Sequence, residues 1–196
     1  MAMSNNRKTV AAFFGAMVLT CAVSAAYLLT TGIADESISV ALRASGRVAF
    51  LILIIVFAAR PLQQLLKAPW TAKLLRNRKL LGVAFAGIHT AHLGLIMMRD
   101  AHVPEFDLVV NWSGATIYSF MYLMVITSFS GPARAIGAKA WKVLHKLGLF
   151  VMFFGFSISQ IPRTLDQLEP VNAILIALAA VALAARIVAF LKYRKS

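Results

Sequence analysis

Carboxylates are scarce in this chain. Seven Asp and Glu stand against 20 Lys and Arg in 196 residues, and none of the seven falls inside a long apolar run. Proton-coupled transporters usually carry acids within their spans, so this absence counts against a small transporter. The single cysteine, Cys21, excludes an intrachain disulfide. It lies in the first apolar run, where it reads as a small buried hydrophobe. No G-x-G-x-x-G fingerprint occurs, so no flavin or nicotinamide site is expected. No repeat at a fixed period and no low-complexity segment divides the chain, which reads as one domain over 1–196. Charge itself is sparse, at 14% of residues, where a soluble domain carries about a quarter.

Apolar residues fill the gap, at 60% of the chain. They gather in six runs, at 10–30, 40–59, 80–98, 108–129, 141–161 and 171–190, each near the ~20 residues that carry a helix across a bilayer core. The expected fold is therefore an all-α polytopic membrane protein, a six-helix transmembrane bundle with short connections. Pro61, Pro104, Pro132, Pro162 and Pro170 fall near run ends, where helices start or stop. The net charge of +13 would suggest nucleic acid in a soluble protein. Here most bases sit between the runs, so topology accounts for them and no nucleic acid is expected. Arg60, Lys67, Lys73, Arg76, Arg78 and Lys79 crowd the second connection. Arg134 and Lys139 lie in the fourth, and Lys192, Arg194 and Lys195 close the chain. The acids alternate with them: Asp35 and Glu36, then Asp100, Glu105 and Asp107, then Asp166 and Glu169. The positive-inside rule places both termini in the cytoplasm, of a bacterial inner membrane or another plasma membrane. Basic residues, an apolar run and the small residues Ser24–Ala26 also fit a signal peptide, but 21 apolar residues are long for one.

Ionisable residues inside spans are costly and are functional candidates by default. His89 and His92 are three apart on one helical face, and His145 lies in a different run, near its basic end. Neutral imidazole is a common metal ligand and an axial heme ligand. Arg47 must lie within the second span if that span is to cross, and Arg43 shares its face. Arg47 either snorkels to the surface or pairs with a buried anion. Arg186 is near the basic end of the sixth run and is expected to snorkel. His102 lies among acids after the third run and reads as a solvated loop residue.

Three stretches carry a family resemblance: "RVAFLILIIVFAARPLQQLL" (47–66), "RNRKLLGVAFAGIHTAH" (76–92) and "WKVLHKLG" (141–148). With them the chain resembles the ferric reductase-like transmembrane family. That family includes the membrane halves of ferric reductases and NADPH oxidases, and the heme-binding membrane subunit of the periplasmic methionine sulfoxide reductase system. The resemblance implies b-type heme held between histidines of the third and fifth spans, with electrons carried across the membrane. His92 resembles the outer-level histidine of the third span and His145 the inner-level histidine of the fifth, which makes them the implied axial ligands of heme iron. His89 is the nearby alternative, and Arg47, at the depth of His92, is within plausible reach of a heme propionate. The positions of the usual second histidines fall near Arg78 and Ser159, so one heme or none is implied rather than two.

The function expected is thus heme b-binding electron transfer, as a possible oxidoreductase component. Six residues follow the last run, so the electrons are expected from a separate cytoplasmic reductase or from membrane quinol. A heme-less membrane partner subunit is the competing expectation.

Overall fold

The computed structural model describes residues 2–100, 112–167 and 169–194. Six helices follow one another: α1 (Ala2–Thr31), α2 (Asp35–Leu66), α3 (Pro69–Asp100), α4 (Trp112–Ile126), α5 (Ser130–Gln167) and α6 (Pro170–Tyr193). Five segments are long and apolar enough to cross a membrane: Asn6–Thr31, Asp35–Leu66, Pro69–Arg99, Ser130–Ile161 and Pro170–Tyr193. The apolar part described for α4, Gly114–Ile126, is shorter, and residues 108–111 of the expected fourth run lie outside the described residues. Helices are what such sequences must form in lipid, because no water is there to satisfy an open backbone.

The second connection is almost entirely helical. α2 runs on to Leu66 and α3 begins at Pro69. Lys67 turns the chain with a left-handed φ of 52°, and its N–H bonds to Gln63 O at 3.2 Å, a left-handed helix cap on a residue other than glycine. Pro69 then opens α3, where its missing N–H costs nothing. The tight hairpin sets the register of the two helices. The Thr71 hydroxyl donates to Gln63, and much farther along Ser45 meets His92. Residues equidistant from the turn therefore lie at equal depth, so Phe57 is level with Arg78.

Pro61 does not end α2, as its place near a run end suggested. It is buried inside the helix. A proline there leaves the carbonyl four residues back without its helical donor. That carbonyl belongs to Phe57, and the Arg186 guanidinium donates to it at 3.3 Å. Arg186 accordingly points into the bundle instead of snorkelling. It covers the Phe57 ring at 4.1 Å and the Phe150 ring at 5.0 Å. In the fourth connection, α5 begins at Ser130 and kinks at Gly137, whose φ of 75° favours glycine.

Phe50, Phe57, Phe85, Phe153 and Met121 are fully buried at the centre. Phe57 stacks on Phe153 with ring centroids 3.8 Å apart, and Phe50 on Phe156 at 5.7 Å. α6 packs on α2 and buries Ala179, Ala182 and Ala189, the small side chains that let membrane helices approach. Cys21 is exposed on α1 rather than buried in the protein, since α1 turns that face of its apolar surface outward.

Candidate functional site

α3 brings His89 and His92 to one face near the acidic end of the helices. Their rings stack at 5.1 Å with 15° between planes. His89 is 6% exposed and is enclosed by three helices. Tyr118 of α4 stacks on it at 4.6 Å and 8°. Phe156 of α5 lies at 4.9 Å, and Phe85 at 5.6 Å lies on its own helix. The Tyr118 hydroxyl donates to the His89 carbonyl at 3.2 Å. Nδ1 of His89 is buried without a hydrogen-bond partner in the structure. Such an atom costs about 1–3 kcal/mol, which makes it a candidate ligand atom.

His92 is tied to α2. Its Nδ1 lies 2.9 Å from the Ser45 hydroxyl oxygen, and Ser45 already donates its proton to the Ala41 carbonyl at 2.8 Å. With that proton on Ala41, the serine oxygen accepts from the ring, an arrangement that puts the imidazole proton on Nδ1 and the lone pair on Nε2. That is how a second residue selects the ligating nitrogen of a histidine. Gly46 packs beside the same ring, where an added Cβ would lie 3.4 Å from His92 Cε1.

His145 is arranged in the opposite sense. Its Nε2 lies 3.0 Å from the Thr127 hydroxyl oxygen, and Thr127 donates to the Leu123 carbonyl at 2.7 Å. The proton of His145 therefore sits on Nε2. The Trp141 ring covers the imidazole at 4.2 Å, and the indole N–H bonds to the Thr127 carbonyl at 2.8 Å. Thr127, which holds His145, follows Tyr118, which contacts His89, by nine residues, or about 14 Å of helical rise, which puts His145 toward the start of the expected third span. Arg78 and His92 are about fourteen residues apart, or about 20 Å along α3. His145 and His92 are thus held at two separate levels and do not face one another.

Arg47 faces α6. Its Nε donates to Asn172 Oδ1 at 2.9 Å, and its guanidinium pairs with the carboxylate of Glu169. Asn172 is 2% exposed. Two positions along α2 separate Arg47 from Ser45, about 200° around a helix, so Arg47 lies at the depth of His92 but turns away from it. The anion it meets belongs to the chain itself. We expect Arg47→Leu to cost about 1.5–3 kcal/mol, the worth of a hydrogen bond to a charged group, because Asn172 is left buried and unpaired. Arg47→Lys keeps the charge opposite Glu169 but loses the Nε–H donor, so its thermal unfolding should fall between wild type and Arg47→Leu. Equal unfolding temperatures for all three would remove Arg47 from the packing of α6.

For the heme that the resemblance implies, the fit is partial. His92 Nε2 and His89 Nδ1 are nitrogens with the chemistry of an iron ligand. α5 contributes phenylalanines at their level, chiefly Phe156, and no second imidazole. At the other level, Arg78 stands near His145. The residues do not suit a stacked pair of bis-histidine hemes, and the α3 imidazoles are the histidine nitrogens present at this level. Among the described residues, no group of three or more His, Cys, Asp or Glu side chains converges as a metal site. His102 lies outside the described residues. Ser45, Tyr118, Thr127 and Asn172 were not singled out by the sequence. Each carries an ordinary span-compatible side chain, and only the long-range pairing marks it.

No curated protein and no solved structure matches the chain. Residues 45–156, more than half of the chain and including Ser45, both α3 histidines, Tyr118, Thr127 and His145, match the family described as ferric reductase like transmembrane component. The chain therefore belongs to the ferric reductase-like transmembrane family, as an integral membrane protein.

Proposed function

We propose that this protein is a membrane electron-transfer component holding a single b-type heme near the acidic end of the bundle, with His92 as the axial ligand. The observation that carries this reading is the Ser45–His92 hydrogen bond, which directs the Nε2 lone pair away from the serine. His89 is the second imidazole of the site, and its buried Nδ1 is the alternative ligand atom. His145 serves the basic level, where its Nε2 is committed to Thr127. Heme, when bound, supplies one-electron redox chemistry. The chain contributes the ligand, its orientation and a low-dielectric sleeve built from Phe50, Phe85 and Phe156. Electrons come from a separate cytoplasmic reductase or from membrane quinol. A pyridine hemochrome assay on the purified protein tests the reading, with about one heme per chain expected.

A second reading, a heme-less partner subunit, is favoured by the dense phenylalanine packing beside His89 and by the missing imidazole on α5. The same assay decides for it if the washed protein carries no heme.

The orientation proposed is both termini in the cytoplasm, with six crossings. It is supported by most of the bases lying at one end of the helices and Asp35, Glu36 and Glu169 at the other, where Arg43, Arg47 and Arg99 are the exceptions. A reporter fused after Ser196 should be active in the cytoplasm. One inserted near Asp35 or Glu105 should report the outside of the membrane, and a cytoplasmic signal at Glu105 would overturn the six crossings.

A further inference from the structure

At the basic end of the bundle, three arginines from three helices lie at one depth. Arg186 of α6 lies across Phe57 of α2. Arg60 follows Phe57 by three residues, one turn along the same face. The α2–α3 hairpin register brings Arg78 level with Phe57.

Such a group of like charges needs counter-anions, and the chain supplies none nearby. Among the described residues, the acids lie at the far end. Asp35 and Glu36 open α2, about 30 Å from Phe57 by helical rise, and Glu169 precedes α6, about 25 Å from Arg186. Topology calls for bases in the connections. It does not call for one of them to leave the headgroup layer and cross the ring of Phe57. Pro61 explains one donor of Arg186, which satisfies the freed Phe57 carbonyl. The other N–H groups of that planar fork are held at the same depth as Arg60 and Arg78. Arginine forks match the oxygens of a phosphate in pairs. Arg60 and Arg78 are exposed, so the group is open to a ligand from the membrane surface.

We propose that Arg60, Arg78 and Arg186 form a phosphate-binding site at the basic end of the bundle, which takes a phosphate group either from an anionic phospholipid or free in solution. Arg78 occupies the position near His145 where the family resemblance implies a second imidazole. This level of the membrane is thereby an anion site rather than an iron site. The site stands whether or not His92 carries heme.

The test uses the full chain, purified in a neutral detergent. Thermal unfolding is followed in three additions at matched ionic strength: inorganic phosphate, short-chain phosphatidylglycerol and short-chain phosphatidylcholine. Saturable stabilisation by phosphatidylglycerol but not phosphatidylcholine or phosphate assigns the site to a lipid headgroup. Saturable stabilisation by phosphate itself assigns it to the free anion. In either case Arg78→Gln and Arg60→Gln, both at exposed positions, should weaken the effect about tenfold, the loss of one charge-assisted contact. Arg186→Gln should weaken it further if it folds, and the two exposed variants decide the matter if it does not. No stabilisation by phosphate or phosphatidylglycerol overturns the proposal. So does stabilisation that is unchanged in Arg60→Gln and Arg78→Gln.

Discussion

Purified His92→Ala is expected to lose nearly all of its heme, while His145→Ala and His102→Ala keep theirs. The difference follows from two hydroxyl groups. Ser45 and Thr127 both spend their protons on backbone carbonyls of their own helices, so each accepts from a histidine. Ser45 accepts from Nδ1 and leaves the His92 lone pair on Nε2. Thr127 accepts from Nε2 of His145 and leaves that lone pair on Nδ1, at the basic level of the bundle and away from the His92 site. Ser45→Ala provides the finer measurement. It removes no ligand but releases the tautomer and the ring orientation, and losing such a supporting partner typically costs about 10–100-fold in metal affinity. Heme titration of the apo-protein, followed by absorbance, should therefore rank wild type above Ser45→Ala and Ser45→Ala above His92→Ala. Full heme in His92→Ala with depletion in His89→Ala would move the ligand one turn along α3, to the buried Nδ1. Full heme in both, with loss in His145→Ala, would sink the assignment.

The second large effect is mechanical. α1 and α3 touch backbone to backbone at Gly87, where an added Cβ would run into the carbonyl of Phe13. A carbonyl inside a helix cannot move aside alone, so the two helices must separate. Gly87→Ala should lower stability by about 1–3 kcal/mol, the usual cost of overpacking, and Gly87→Leu should detach α1 from its seat. Gly148 is the control. An added Cβ there also meets an atom too closely, but that atom is the sulfur of Met124. A methionine has three rotatable bonds and adapts, so Gly148→Ala should cost clearly less than Gly87→Ala. Unfolding of both variants in one detergent, read by tryptophan fluorescence, gives the order. A milder Gly87→Ala would mean that α1 does not rest on α3 as described.

The segments that form the spans and the polarity of their charges are legible from residues alone, because a bilayer acts locally and along one dimension. A run of apolar residues answers to its thickness wherever the run stands, and a connection rich in bases answers to the membrane field without reference to any other connection. The two α3 histidines were visible for the same reason, as costly groups in an apolar stretch. What each side chain faces is a different kind of information. In lipid, the residues turned outward and those turned toward the core are both apolar, so composition does not report how a helix is rotated about its axis. By sequence, Arg47 suits either the surface or a buried anion. Rotation and register brought it to Asn172, which follows it by 125 positions. Arg186 looked ready to snorkel until the packing of α6 placed it beneath the carbonyl that Pro61 leaves without a donor. The tautomers of His92 and His145 depend on hydroxyls 47 and 18 positions away. Only the tertiary structure could decide these, since each bond exists when two helices reach one depth and turn the right faces together.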